Sequence, residues 1–248
     1  MLQVGSALEG YRIEASDGEI GTVSDFLFDD RTWKIRWLVV DTGNWLTGRQ
    51  VLVHPSAIGR ADYIGRKLPV MLTKAKIEAS PNILLDRPVS RQNEFNLYDY
   101  YGWGPDSGGN IFEPNTKAPG MAEEAVAEAG ILSNLEGKDP HLRSLSAVNG
   151  YDIQATDGGI GHLENFLLED DVWEVRYLVV DTRNWWPGQH VLVSPFAVRD
   201  IDWWKKQISL NVSCDKVKAS PPWAPLDLID QAYEKRLHRY YDWPGYGW

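Results

Sequence analysis

Hydrophobic and polar positions alternate with a period of two from Trp33 to Val40. Trp33, Ile35, Trp37 and Val39 interleave with Lys34, Arg36, Leu38 and Val40, and β-branched and aromatic residues of this kind favour strands. One side of the predicted strand is apolar throughout. The other passes from charged to apolar, as when a strand end becomes covered on both faces. Residues 19–28 pair with it as a hairpin, turned by Asp29-Asp30-Arg31-Thr32. Asp17-Gly18 marks an earlier tight turn, because glycine tolerates the positive φ that such loops need. Val51-Leu52-Val53 and the run Leu68–Leu72 predict further short strands. Thr73 to Pro81 reads as a helix of one to two turns stopped by proline. Ser90 to Tyr101 reads as a terminal helix capped by Ser90, with Phe95, Leu97, Tyr98 and Tyr101 on its apolar face.

The same pattern returns 140 residues later. Gly10-Tyr11-Arg12-Ile13-Glu14-Ala15-Ser16-Asp17-Gly18 recurs as Gly150-Tyr151-Asp152-Ile153-Gln154-Ala155-Thr156-Asp157-Gly158. Leu38-Val39-Val40-Asp41-Thr42 recurs as Leu178-Val179-Val180-Asp181-Thr182, and Tyr100-Tyr101-Gly102-Trp103 as Tyr240-Tyr241-Asp242-Trp243. Laid over 142–243 without a gap, residues 2–103 share 39 identities in 102 positions. That level marks a duplication. Solenoids stack more and shorter units, so two copies predict two complete domains or a pseudo-twofold pair in the place of a homodimer. The expected organisation is a first repeat at 1–103, a linker at 104–141 and a second repeat at 142–248.

Charge adds to this picture mainly through the linker. The net charge is −10, and residues 104–141 carry half of it with 7 acids against 2 bases. Gly, Pro and acidic residues there predict an extended tether. Neither repeat offers the basic stripe that displaces counterions from nucleic acid, so nucleic acid is not an expected partner. No apolar stretch approaches the 20 or so residues of a spanning helix. The opening MLQVGSALEG lacks the regions of a secretory signal, and the single cysteine, Cys214, allows no internal disulfide. These features together point to the cytoplasm.

The run GYRIEASDGEIGTVSDFLFDDRTWKIRWLVVDTGNWLTGRQVLVHP and its second version NGYDIQATDGGIGHLENFLLEDDVWEVRYLVVDTRNWWPGQHVLVSP resemble the PRC-barrel domain. That small β-barrel occurs in the photosynthetic reaction-centre H subunit and in a ribosome-maturation factor. The resemblance covers about 80 residues of each half, through Ser80-Pro81 and Ser220-Pro221, and is nearest to stand-alone tandem PRC-barrel proteins of bacteria. It implies a mainly β chain with two small antiparallel PRC-type barrels, each followed by short helices and related as a pseudo-dimer. It also implies a barrel used for protein–protein contact, with no catalytic residues to carry over.

Catalytic chemistry finds little footing. None of the histidines His54, His141, His162, His190 and His238 falls on a histidine in the other repeat, and no HExxH or His/Cys ligand spacing occurs. No nucleophile elbow, Walker loop or dinucleotide fingerprint is present. No metal and no cofactor is therefore expected. Shared Asp41 and Asp181 each end an apolar strand ahead of Thr-x-Asn-Trp, where an Asx-type turn is the simplest account.

Arg36 and Arg176 are shared within the strand, suited to a cross-strand ion pair or to a partner's carboxylate. Twelve tryptophans are many for 248 residues, and aromatics with arginine dominate interface hot spots. The interaction candidates are Arg36, Asp41, Asn44 and Trp45 in the first repeat. In the second they are Arg176, Asp181, Asn184, Trp185, Trp186, Trp203, Trp204, Trp243 and Trp248.

The expected function is a non-enzymatic interaction or scaffolding module with a protein partner, a second copy of the chain included. One alternative is a small-ligand binder or cryptic hydrolase at an inter-barrel cleft lined by Asp41 and Asp181. Another, by family analogy, is a factor of photosynthetic or ribosomal assemblies.

Overall fold

The computed structural model describes residues 1–46, 48–80, 97, 100–102, 141–182, 190–223 and 229–247. All but the last residue of the expected 104–141 linker, and most of the helix expected from Ser90 to Tyr101, lie outside these.

The first repeat contributes β1 (Leu2–Val4), α1 (Gly5–Leu8), β2 (Arg12–Ala15), β3 (Gly18–Asp29), β4 (Ile35–Asp41), β5 (Gln50–Val53), a 3-10 turn at Pro55–Ala57, β6 (Lys67–Pro69) and α2 (Lys74–Glu78). The second contributes β7 (Leu142–Ser144), α3 (Leu145–Val148), β8 (Asp152–Ala155), β9 (Gly158–Glu169), β10 (Glu174–Asp181) and β11 (His190–Val193). A 3-10 turn at Pro195–Ala197, β12 (Val198–Asp202), β13 (Gln207–Leu210), α4 (Cys214–Lys218) and α5 (Gln231–Tyr241) complete it. The alternation from Trp33 is visible in β4: Ile35, Trp37, Leu38, Val39 and Val40 are buried, while Arg36 is half-buried and Asp41 exposed. The predicted short helix forms as α2, with Thr73 accepting from the Lys76 amide. Its counterpart α4 is capped in the same way by Ser213.

The chain is mainly β, with two sheets of like topology. One runs β5-β4-β3-β2-β6, with β7 joined to β3; the other runs β11-β10-β9-β8-β13-β12, with β1 joined to β9. Two details differ from a closed antiparallel barrel. β6 lies parallel to β2, with Ile13 opposite Leu68, and β13 lies parallel to β8, with Ile153 opposite Ile208. The long connection from β2 to β6 leaves room for such a same-direction return. The sheets are also open paths. Pro55 and Pro195 follow β5 and β11 closely, and a proline has no amide hydrogen with which to extend the ladder.

The chain divides into two compact units. Unit 1 comprises Met1–Gly10, Asp25–Arg36 and Arg143–Trp248; unit 2 comprises Tyr11–Ser24 and Trp37–Leu142. Unit 1 thus draws on both repeats, and inside it equivalent segments exchange contacts. β1 pairs antiparallel with β9, Leu2 opposite Glu169 and Val4 opposite Leu167, while β7 pairs with β3. The Asn165 carboxamide binds the Ser6 amide at 3.3 Å and the Ser6 hydroxyl at 2.6 Å. Asp25, at the equivalent position, accepts from the Ser144 and Ser146 hydroxyls and from the Ser146 amide. The two hairpin turns also pair, the Ile35 amide donating to the Trp173 carbonyl at 2.7 Å and the Val175 amide to the Trp33 carbonyl at 2.8 Å. Phe28 packs on Trp33 at 5.4 Å and on Phe166 at 6.0 Å, and Phe26 on Trp173 at 6.2 Å. Unit 2 is centred on the fully buried Trp37, with Ile13, Ile20, Leu38, Leu52 and Leu68.

Within each unit β3 or β9 passes very close to the end of the strand beside it. A Cβ at Gly161 (φ +146°) would stand 1.9 Å from the Asp181 carbonyl oxygen, and one at Gly21 (φ +150°) 2.0 Å from that of Asp41. We expect Gly161→Ala to lose about 3 kcal/mol or more of stability in urea denaturation, as backbone clashes do. At Gly43 (φ +54°) an added methyl group would meet nothing within 4 Å. Gly43→Ala is therefore expected to lose only the left-handed penalty of about 1–2 kcal/mol. Equal losses at the two positions would contradict the close approach.

Candidate functional site

Among the described residues, the turn leading into the last strand of each repeat carries the most exposed large apolar residue of its unit. In the second repeat Asp202 accepts from the Trp204 and Lys205 amides at 3.1 and 2.9 Å, an Asx arrangement that fixes the turn. The contacts with Lys205, hydrogen bonds first, hold the Asp202 carboxyl below its usual range. Lys206 adopts φ 53° to close the loop. Trp203 lies half-buried, its ring edge on Tyr151 at 6.1 Å and its face under the Arg143 guanidinium at 4.0 Å. Trp204 points outward and is 98% exposed. The first repeat builds the same turn. Asp62 accepts from the Gly65 amide at 2.9 Å, Arg66 takes φ 52° and stacks on Tyr11 at 5.1 Å, and Ile64 is 100% exposed. In each turn one aromatic residue, Tyr63 or Trp203, is half-buried, and the next side chain is presented to solvent.

A second feature lies within unit 1, where α5 packs its buried face on β10. Asp230 caps α5 by accepting from the Tyr233 amide, and Asp242 ends it with φ 61°. This geometry places His238, 2% exposed, against Tyr177. His238 Nδ1 lies 2.6 Å from the Pro244 carbonyl, which only accepts, so Nδ1 carries a proton. Its Nε2 lies 2.8 Å from the Tyr177 hydroxyl, which is 3.0 Å from Glu234 Oε1. Burial lowers His238 below its usual 6.5 and raises Glu234 above its usual 4.5. Burial, with Glu234 beside it, also drives the Tyr177 hydroxyl far up. All three therefore favour their neutral forms. Tyr246 closes the cluster. Its hydroxyl meets Ser194 at 2.9 Å and the Arg176 carbonyl at 3.0 Å, and burial pushes it up to about 12. The Arg176 guanidinium lies over its ring at 3.8 Å.

The sequence-derived candidates separate on this frame. Arg36 approaches Asp29 at 3.5 Å and Arg176 approaches Glu169 at 3.8 Å, cross-strand pairs at equivalent positions. Asp41 accepts from the Gly43 amide at 2.8 Å in a local turn, Asn44 is exposed, and Trp45 lies under the Lys74 ammonium at 4.7 Å. Trp243 stacks on Tyr241 at 4.0 Å and meets His238 edge-on, which ties it to the buried cluster. Asn184, Trp185, Trp186 and Trp248 lie outside the described residues.

Asp181 departs from its counterpart. It is 1% exposed and lies 3.7 Å from His162 Nε2, and with Glu164 and His190 it forms a group whose donor atoms lie within 4.8 Å of one another. Comparing histidine positions between repeats missed this group. Its signal is His-x-Glu on one strand, with Asp181 and His190 facing each other across the next hairpin.

Two mixed, open sheets of this topology define the class of fold. Residues 5–77 match the family model of the PRC-barrel domain. A protein of Deinococcus radiodurans named only as uncharacterized is 40% identical over 89 residues, which cover 36% of this chain and 30% of that protein. The match thus spans less than a third of the relative's length. Among the described residues, no helix is long and apolar enough to cross a membrane.

The buried chain sets a pH dependence with opposed signs. With His238 depressed, the unfolded state binds more protons below 6.5, so its stability contribution is present above that value and is lost as pH falls from there through the depressed value. With Glu234 raised, the folded state keeps its proton longer, so that contribution is present below 4.5 and is lost as pH rises through the raised value. His238→Phe should therefore flatten the fall in melting temperature between about pH 7 and pH 5, and Glu234→Gln should steepen it. Thermal melts followed by circular dichroism check both, and two profiles parallel to the unmodified protein's would contradict the assignment.

Proposed function

We propose that this chain is a non-enzymatic protein–protein interaction module built from two PRC-barrel-type repeats. The family match supports that reading for residues 5–77. The gap-free repeat and the like topology of the second sheet extend it to residues 145–217.

One observation carries the interaction reading. Both repeats leave a large apolar side chain, Ile64 or Trp204, almost wholly in water at the same position of the same Asx-locked turn. Scattered exposed apolar residues are ordinary. Two at equivalent tips, each behind a half-buried aromatic, have the form of side chains presented for burial by a partner. Tryptophan is among the residues that dominate such contacts, since it buries a large area with few rotors. Lys205 is paired with Asp202 and Lys67 with Glu14, so the surface each tip fits is an apolar pocket. A cleft lined by both Asp41 and Asp181 is not part of this reading, because the Asp41 carboxylate is engaged by its own turn.

Ile64→Ser with Trp204→Ser tests the proposal. Surface changes of this kind alter stability by no more than about 0.5 kcal/mol, so the thermal midpoint should stay in place. Cross-linking in extract, followed by mass spectrometry, should show a defined partner for the unmodified chain and none for the variant. Self-association that is lost in the same variant, read by light scattering, would make a second copy the partner. An identical cross-linked set from both proteins would refute the role of the tips.

A further inference from the structure

We propose that the second repeat binds one divalent transition-metal ion of the zinc class through Glu164, Asp181 and His190, with the His162 imidazole beside Asp181.

Sheet register creates the site. Asp181 is the last residue of β10, and it lies opposite His162 on β9 and opposite His190 on β11. Three neighbouring strands thus place imidazole, carboxylate and imidazole on a single rung. Glu164 follows His162 by two residues, which returns a strand side chain to the same face. The register shift between Val179 and Val180 leaves Glu164 without an opposite residue, since Val179 faces Asn165 and Val180 faces Leu163. Bulges re-aim side chains in this way. Glu164 Oε2 comes to 2.6 Å from His190 Nε2, and His162 Nε2 lies 3.7 Å from Asp181 Oδ2.

Zinc bonds to imidazole nitrogen and carboxylate oxygen at about 2.0–2.2 Å, so ligand atoms around a tetrahedral ion stand roughly 3.3 Å apart. The donor atoms of Glu164, Asp181 and His190 lie within 4.8 Å of one another, with Glu164 and His190 at 2.6 Å, close enough for side-chain adjustment to bring all three around one ion. An imidazole with two carboxylates, and a second imidazole beside them, suits zinc and its neighbours in the first transition row better than calcium or magnesium, which take oxygen ligands. Asp181 is 1% exposed while the Glu164 and His162 side chains are 42% and 37% exposed, so the site has a buried base and an open approach. Trp223 meets the His190 ring edge-on at 6.4 Å and bridges its backbone, which holds the imidazole in place.

The duplication supplies an internal comparison. The first repeat keeps the aspartate as Asp41 but has Thr22, Ser24 and Gln50 where the second has His162, Glu164 and His190. Asp41 is exposed and turns its carboxylate to the Gly43 amide. All three positions around one retained aspartate therefore differ together, each toward a metal ligand.

Zinc and cobalt are the probes, on the full chain freed of any purification tag and treated with chelator. We expect one zinc per chain by titration calorimetry, a higher thermal midpoint with zinc, and visible absorption bands with cobalt. The variant His162→Thr/Glu164→Ser/His190→Gln installs the residues with which the first repeat already folds, and it should lose all three signals. His190→Gln alone, a smaller change to the fold, should weaken zinc at least about tenfold. Failure of the unmodified chain to bind zinc would overturn the proposal. So would binding that is equally tight in His190→Gln.

Discussion

Unit 1 depends on the backbone carbonyls of Trp33 and Trp173, each of which accepts from an amide of the opposite hairpin turn. Both residues sit at the start of the return strand with left-handed backbone, φ 60° and 51°. Bulky side chains rarely adopt that conformation, which costs about 1–2 kcal/mol at each position. It persists because the turn is over-determined. In the first repeat the Asp29 carboxylate accepts from the Arg31 and Thr32 amides at 3.0 Å each, and the Trp33 amide donates to the Asp29 carbonyl at 2.8 Å. The ring is then buried on Phe28, and the Trp33 carbonyl receives the Val175 amide. The strained backbone and the exchange of hydrogen bonds between equivalent turns are one device.

That device accounts for how the duplication reads in three dimensions. A closed pair of equivalent segments buries the same surface twice, as in a twofold homodimer. Here the equivalence is approximate, and the differences are informative. Asn165 binds α1 through a carboxamide, whereas Asp25 binds α3 through a carboxylate and the two serine hydroxyls. Phe28 becomes Leu168 across the repeats while Phe26 stays Phe166, so the aromatic packing in unit 1 is lopsided. Once linked in one chain, the two halves no longer need to be self-complementary, and each position is free to specialise.

Much of the local structure was legible because it depends on near neighbours. The alternation from Trp33 to Val40, the turn at Asp29–Thr32 and the short helix after Thr73 involve residues a few positions apart, and all three appear as expected. The exchange of β1 and β7 was not legible. Leu2-Gln3-Val4 is a short apolar run that pairs as well with its own repeat as with the other, and only tertiary packing decides. The parallel partners of β2 and β8 were hidden for the same reason, since β6 is three residues long and shows no period. The group around Asp181 needed register: Glu164 and His190 are far apart along the chain and meet only because β9 and β11 both flank β10.

Sequence comparison between the repeats treats unshared residues as incidental, and that rule fails where a duplicated frame has freed one copy to change. The shared set, Gly21 and Gly161, Trp33 and Trp173, Asp62 and Asp202, governs backbone geometry. The unshared set holds the chemistry: His162, Glu164 and His190 around a retained aspartate, and His238 against Tyr177 where the first repeat has Tyr98 and Trp37. Both groups occupy positions where one repeat tolerates neutral or apolar residues, so the ionisable groups are not required by the fold. A buried imidazole or carboxylate destabilises unless it is paired, and here each is held in a specific network. Retaining such groups in only one repeat, on a frame that folds without them in the other, means that they specialise this copy rather than build the shared fold.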